Sequence, residues 1–325
     1  MEALSEGTKM LADKITSDLR LIPGYIWRVA RSATHRYKTY DIPKKRDPTS
    51  RRTINHPARE LKLLQRWILK NVVALMPVHR AAVAYKKNAN IAKNARLHRN
   101  NNYLLKVDFR DFFPSLKGGD VIQILRTNSP GLSGVASGPR DFELVRQIVC
   151  KDDRLTIGAP SSPALSNAIM FSFDTFWSER CRGLGVTYSR YADDLYFSTN
   201  HRDVLAPLLE DLREKLKDQK HPTLVINEQK TVFTSRKRRK IVTGLVLTPD
   251  GKLSLGRQKI RHLRSLIFRS IQSQLSKEET NYLCGMIAYA RSVEPELINR
   301  LREKFQKKYG AEAITRILAA KDIVL

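Results

Sequence analysis

The chain has 325 residues, of which 59 are Lys or Arg and 32 are Asp or Glu, giving a formal net charge of +27. A basic excess this large points to a polyanionic partner, nucleic acid above all, because a merely solubilising surface would be served better by mixed charges. No window reaches the ~18 apolar residues of a membrane span, and the N-terminus (MEALSEGTKMLADKITSDLR) has no apolar core of signal-peptide type.

With 42% hydrophobic residues the chain can bury the core of one large domain or two modest ones. Cys150, Cys181 and Cys284 are far apart, and the seven histidines form no zinc pattern. Sparse, unpaired cysteines fit a reducing cytosol, so a cytoplasmic location is expected.

In chain order, Arg59–Met76 carries apolar residues at helical spacing (Leu61, Leu64, Ile68, Val72, Leu75) and is stopped by Pro77. Tyr103–Asp108 (YLLKVD) is a short strand ending on an acid. Thr127–Arg140, rich in Gly, Ser and Pro, is a loop. Ser161–Arg182 reads as one helix, with Pro near its start and Gly183 after its end. Val186–Thr199 (VTYSRYADDLYFST) reads as a β-hairpin, its β-branched and aromatic residues flanking a short acidic break. Val204–Leu216 is an amphipathic helix, and Leu224–Asn227 and Ile241–Leu247 are strands. Helical patterning begins at about Gly256. The chain therefore divides into a strand-containing body, residues 1–245, and a helical C-terminal part, 246–325.

The hairpin's Asp193 and Asp194 are the most informative residues. A turn relaxes the alternation of a straight strand, so both carboxylates can approach one divalent-metal site. Adjacent carboxylates stay ionised together only where a cation or water screens them. Asp108, at the end of an apolar strand in Lys106-Val107-Asp108-Phe109-Arg110-Asp111-Phe112-Phe113, reads by itself as a cap or turn residue. Beside Asp193 and Asp194 it completes the carboxylate set that a two-metal phosphoryl transfer requires, and Mg²⁺ prefers such oxygen ligands.

The order of the Asp108 motif, Gly158-Ala159-Pro160-Ser161-Ser162-Pro163, Tyr191-Ala192-Asp193-Asp194 and Leu224–Thr231 (LVINEQKT) resembles the palm of a reverse transcriptase from about Tyr37 to Leu247. The fold this implies is α+β: a right-hand polymerase of fingers, palm and thumb, with an antiparallel palm sheet and a helical C-terminal thumb. The resemblance implies Asp108, Asp193 and Asp194 as ligands of two Mg²⁺ ions, with Mn²⁺ able to substitute. It implies Phe113 as an aromatic gate against the sugar 2′-OH, favouring dNTPs, although plain core packing is the other reading of that ring. The backbone through Phe109, Arg110, Asp111 and Phe112 would cradle the triphosphate, with Lys230 as proton donor or phosphate contact. Lys44-Lys45-Arg46 and Arg51-Arg52-Thr53-Ile54 resemble the fingers, where Arg52, or else Arg51, would clamp the triphosphate. One departure is Ile157, where the family usually has the glutamine of its nucleotide pocket.

Two shorter elements narrow the branch. Asn94-Ala95-Arg96-Leu97-His98 matches the NAxxH motif of retron reverse transcriptases, and Val242-Thr243-Gly244 their VTG motif. The similarity implies RNA binding through Asn94, His98, Val242, Thr243 and Gly244. It further implies a cognate structured non-coding RNA that serves as template and, through a guanosine 2′-OH, as primer. The product would be branched multicopy single-stranded DNA, an RNA–DNA hybrid trimmed by host RNase H. A separate effector protein in antiphage defence or a toxin–antitoxin system is also implied.

Arg257, Lys259, Arg261, Arg264 and Arg269 interleave with Ile260, Leu263, Leu266, Ile267 and Phe268, giving a helix a basic and an apolar side. Such a helix, with the Arg236–Lys240 run (RKRRK), can follow the phosphates of an A-form hybrid. Two other readings stand beside this one: an intron-derived or diversity-generating reverse transcriptase, and a degenerate polymerase acting as an RNA-binding scaffold.

Overall fold

A computed structural model describes residues 11–44 and 47–310, so Lys45 and Arg46 of the basic segment lie outside the described residues. The chain separates into two units, one comprising the residues up to Ala89 together with Leu105–Phe233, the other Asn90–Leu104 and the chain from Thr234 onward.

The first unit opens with two short helices, Leu11–Leu19 and Pro23–Arg31. A long antiparallel hairpin follows, β1 (Tyr37–Lys44) against β2 (Asp47–Pro57), with Ile42 opposite Arg52 and Pro43 opposite Arg51. Adjacent strand residues point to opposite faces, so only one of the exposed pair Arg51 and Arg52 can serve a given face. Helix Arg59–Asn71 buries Leu61, Leu64, Trp67 and Ile68. It ends before the predicted Met76, where the stiff β-branched pair Val72-Val73 gives way to a 3-10 turn, Val73–Leu75.

The central sheet has the order β4-β5-β3-β6, built from β3 (Tyr103–Asp108), β4 (Thr187–Tyr191), β5 (Asp194–Thr199) and β6 (Val232–Ser235). β3 falls where the sequence places it. β4 and β5 form the expected antiparallel hairpin, with Tyr191 opposite Asp194 and only Ala192 and Asp193 between them. Leu104, Leu105 and Val107 of β3 and Leu195, Tyr196 and Phe197 of β5 are fully or almost fully buried, and with Trp177 they form the core.

Three further predicted elements of this unit differ. The span Thr127–Arg140 is not one loop: it contains helix Ser129–Leu132 and the start of helix Pro139–Val149, since Pro in a first turn marks a helix start as readily as a loop. Ser161–Arg182 is two helices, Ser162–Ile169 and Phe171–Gly183, joined at Met170, whose ψ of 3° departs from the helical value. Leu224–Asn227 is not a strand but makes one bridge, Ile226 to Phe109, before a 3-10 turn at Glu228–Lys230.

In the second unit, helix Ile91–His98 packs on a three-stranded antiparallel sheet of order β7-β8-β9. The strands are β7 (Lys240–Val242), β8 (Leu245–Leu247) and β9 (Leu253–Ser254). The predicted single strand Ile241–Leu247 is thus a tight hairpin. Thr243 and Gly244 both take positive φ (47° and 79°), as a type I′ turn demands. Helices Arg257–Ile271, Lys277–Val293 and Pro295–Tyr309 follow, the second opened by a capping box between Ser276 and Glu279. The β7–β9 segment and helix Ile91–His98 thus fall in the same unit as the C-terminal helices. Among the described residues no helix is long and apolar enough to cross a membrane.

Candidate active site

Asp108 ends β3 with only 5% of its surface exposed. Beyond it the chain is clamped from two sides. The Phe109 N–H donates to the Asp193 carbonyl (3.2 Å), the Arg110 N–H donates to the Val225 carbonyl (2.8 Å), and the Asn227 N–H donates to the Asp108 carbonyl (2.8 Å). The first of these bonds brings the strand end and the hairpin turn together, so carboxylates 85 residues apart in sequence share one corner of the sheet.

The turn itself is strained. Ala192 has φ +60° whereas Asp193 does not have positive φ, the pattern of a type II′ turn, whose first position ordinarily takes glycine. A buried ion pair braces it. Arg190, fully buried, reaches both carboxylate oxygens of the equally buried Asp174 (Nη2 to Oδ2, 2.6 Å; Nε to Oδ1, 2.9 Å) and donates from Nη1 to the Ala192 carbonyl (3.1 Å). The Tyr188 hydroxyl adds a bond to Asp174 Oδ1 (2.7 Å). Asp174 and Arg190 carry no motif, and sequence reasoning missed them.

Two ammonium groups attend the acids. Lys230 Nζ lies 3.0 Å from Asp108 Oδ1, and Lys106 Nζ lies 2.7 Å from Asp194 Oδ1. The Tyr196 hydroxyl donates to Asp194 Oδ2 (3.0 Å). Lys106 was also missed, although its position two residues before Asp108 puts both on one face of β3. Burial first, then the neighbouring charges of Asp194 and Asp108, together push the Asp193 carboxyl up to about 6. Burial likewise raises Asp194, against the pull of Lys106 and Tyr196.

A divalent cation fits this donor set chemically, because crowded, partly desolvated carboxylates are hard oxygen ligands whose repulsion it relieves. Among the described residues no three acidic, His or Cys side chains converge closely enough to coordinate one ion. Lys106 and Lys230 hold the oxygens that a cation would share.

The turn after Asp108 is sharp. Asp111 takes φ +46° and leads into the four-residue helix Phe112–Ser115. Phe109 and Phe112 are buried and stacked, with centroids 6.0 Å apart and planes at 12°, so their rings belong to the core. Since the Phe109 and Arg110 amides are already bonded, a phosphate cradle here is left with the amides of Asp111, Phe112 and Phe113, which precede or open a helix and lack intrahelical partners. That is narrower than the cradle expected from sequence. Phe113 is half-buried, and Arg110, Asp111 and Lys230 are exposed. Arg52 is exposed on β2, whose Asn55 N–H donates to the Ile157 carbonyl (2.8 Å). Gly158 (φ +115°) passes so close to the Asn55 carbonyl that a Cβ would lie 2.5 Å from its oxygen. The motif's glycine thus serves the approach of this loop to the hairpin. The Ile157 link is made by main chain, which any residue supplies.

In the second unit, the residues expected to touch RNA fall into two groups. Arg257, Arg261 and Arg264 are exposed along one side of helix Arg257–Ile271, while Leu263, Leu266 and Ile267 are buried on the other. Asn94, His98 and Val242, by contrast, are fully buried and present no surface to a nucleic acid. Burial, with Lys240 adding to it, pushes the His98 imidazole down to about 3, so the ring is neutral at any ordinary pH. Thr243, half-buried, donates to the Ile91 carbonyl (2.8 Å), and Gly244 accepts from Lys259 (3.3 Å). The two short motifs therefore meet as helix and turn of one structural unit.

A carboxylate-ended strand beside a hairpin turn carrying two more acids defines the palm of a nucleotidyl polymerase. The chain matches the family model described as reverse transcriptase (RNA-dependent DNA polymerase) over residues 42–284. It is 37% identical over 291 residues to the Retron Ec83 reverse transcriptase of Escherichia coli, covering 89% of this chain and 91% of that one. It is 33% identical over 302 residues to the Retron Ec73 reverse transcriptase of the same organism (90% and 93%). Among solved structures it resembles apo telomerase from Candida tropicalis, with TM-score 0.50 at 14% identity, covering 87% of this chain and 57% of that one. This chain belongs to the retron reverse transcriptases and is an RNA-directed DNA polymerase. Enzymes of this family work with divalent metal ions.

Proposed function

We propose that the protein copies part of a cognate structured non-coding RNA into DNA, starting from a guanosine 2′-OH within that RNA, and so makes branched multicopy single-stranded DNA. Its resemblance to the retron enzymes supports this reading, and one observation carries the chemistry. The hydrogen bond from the Phe109 amide to the Asp193 carbonyl holds Asp108 beside the Asp193–Asp194 turn.

In this reading Asp108, Asp193 and Asp194 hold two Mg²⁺ ions, or Mn²⁺ in their place. When bound, the ions supply charge neutralisation at the attacking and leaving oxygens of an in-line displacement. Lys230, exposed and 3.0 Å from Asp108, moves to the leaving pyrophosphate and gives it a proton. Lys106 stays with Asp194 and sets its orientation. Arg52 clamps the triphosphate of the incoming dNTP, and the Asp111–Phe113 amides complete the phosphate contacts. Phe113 meets the sugar where a 2′-OH would stand.

Residues 1–245 serve as fingers and palm and residues 246–325 as thumb. Arg257, Arg261 and Arg264 follow phosphates of the RNA–DNA hybrid, and the Asn94–His98 helix and the Val242–Gly244 turn shape the RNA-binding unit from inside. The same reading places the enzyme in the cytoplasm. Host RNase H trims its template, and a separate effector protein uses the product in antiphage defence or a toxin–antitoxin pair.

The test is the nucleic acid that co-purifies with the protein expressed with its native upstream locus, compared with Asp193→Asn and treated with RNase, DNase and a 2′,5′-debranching enzyme. A discrete DNA that shifts on debranching and is missing from the variant is the expected result. DNA that runs unchanged after debranching would overturn 2′-OH priming, and RNA alone in both samples would favour a binding scaffold.

A further inference from the structure

The segment Ala81–Tyr85 belongs to none of the motifs, yet it is fixed directly against the catalytic hairpin. The Arg190 N–H of β4 donates to the Ala81 carbonyl (2.8 Å), and the Val83 N–H donates to the Arg190 carbonyl (2.8 Å), so Ala82 bridges Arg190 in the parallel sense. Buried Asn167, on helix Ser162–Ile169, donates from Nδ2 to the Ala84 carbonyl (2.9 Å). The main chain is therefore held up to Ala84.

Tyr85 then takes φ +58°, which is unfavourable for a bulky L side chain. That strain delivers the ring beside Phe113, with centroids 6.2 Å apart and planes at 43°. Phe112 packs on Phe113 as well (5.5 Å, 59°), so Phe113 is wedged between a core ring and Tyr85. Tyr85 is 43% exposed, and its hydroxyl lies near enough to feel the charges of Asp193 and Arg52. It is thus an open aromatic surface among the groups assigned to metal, triphosphate and sugar. Strain kept at such a place, over-determined by its surroundings, is characteristic of a functional position.

We propose that Tyr85 is a specificity-determining residue: its ring forms the second aromatic wall of the incoming nucleotide's sugar site and holds Phe113 in the gating position. The proposal rests on reading Phe113 as the gate against the 2′-OH. An aromatic neighbour restricts a ring that would otherwise turn toward solvent, and a gate discriminates only while its position is fixed. The ring carries this role, so Tyr85→Phe should preserve it.

The test compares wild type, Phe113→Ala, Tyr85→Phe, Tyr85→Ala and Tyr85→Asn in Mg²⁺-dependent extension of a DNA-primed RNA template, with dNTPs and with rNTPs. Asn tolerates positive φ, so it removes the ring without adding strain, and melting temperatures identify any variant that fails to fold. Phe113→Ala should admit rNTPs. Tyr85→Ala and Tyr85→Asn should raise KM for dNTP and relax the dNTP/rNTP ratio by about threefold to tenfold, in line with the loss of one aromatic pair. In both, kcat for dNTP and KM for primer–template should stay near wild type, and Tyr85→Phe should match wild type throughout. If Phe113→Ala relaxes selectivity while the folded Tyr85→Asn retains it, the proposal fails and the gate reading stands. A changed KM for primer–template alone would also overturn it, assigning the ring to the duplex. If neither Phe113 nor Tyr85 variants alter selectivity, the gate reading itself falls.

Discussion

Asp193 sits at a turn where burial and two neighbouring acids oppose its charge. A carboxyl whose folded pKa is raised to about 6, above its ordinary 3.8, binds its proton more tightly folded than unfolded. Metal-free stability should therefore fall as pH rises from about 4 through about 6 and stay low above it. A divalent cation competes with that proton, so the Mg²⁺ concentration needed for half-maximal extension should rise as pH drops from 7.5 to below 6. A flat Mg²⁺ requirement across that range, measured by primer extension, would contradict the assignment. Asp193→Asn should abolish synthesis, retain RNA binding by gel shift, and melt a few degrees higher than wild type in EDTA at neutral pH, since it removes an opposed charge. Unchanged extension by this variant would exclude Asp193 from the metal site.

At the scale of elements, the β4–β5 hairpin depends on a partner outside itself. Arg190 binds both Asp174, on helix Phe171–Gly183, and the carbonyl of strained Ala192. Arg190→Met would leave Asp174 buried without its counter-charge, at a cost of roughly 3–5 kcal/mol by denaturant unfolding. Extension activity should fall further than the folded fraction does, because the turn that carries Asp193 loses its brace. The helix Ile91–His98 and the Thr243–Gly244 turn depend on each other in the same way. Thr243→Val removes the bond to the Ile91 carbonyl and should cost about 1 kcal/mol. His98→Ala should cost about 1–3 kcal/mol, and its defect with cognate RNA should track that lost stability. A His98 variant with full stability but no cognate-RNA use would instead make the imidazole a recognition group.

At the scale of the whole molecule, the net charge of +27 makes binding to RNA a matter of counter-ion release. If Arg257, Arg261 and Arg264 each neutralise one phosphate, replacing all three with Gln should reduce the slope of log affinity against log salt by about 2 to 3. Sequence preference should barely change, because phosphate contacts position the nucleic acid without reading it. An unaltered slope, by filter binding at several salt concentrations, would mean that this helix face is merely solvated.

Much of this was legible in the chain alone. The basic excess, the strand ending on Asp108, the hairpin around Asp193 and Asp194 and the helical C-terminal part follow from charge, from alternation and from apolar spacing. These are properties of neighbours along a sequence, and the motif order that marks the reverse transcriptases is of the same kind. Local pattern failed where a residue's conformation is set by a distant partner. Leu224–Asn227 has the composition of a strand but is used to clamp the end of β3. Val242–Gly244 reads as a strand but turns, because Thr243 is drawn to Ile91. Asn94 and His98 are polar residues on a helix, and nothing in their spacing says that they are buried.

The sequence by itself determined which groups are available for the chemistry proposed, because side-chain type decides what can bind a cation, exclude a hydroxyl or meet a phosphate. Only the tertiary structure decided which groups hold those in place. Lys106 on Asp194, Arg190 and Asp174 beneath Ala192, and Tyr85 against Phe113 are contacts between segments that only packing brings together. Their energies arise from burial and pairing, which do not exist until the chain has folded.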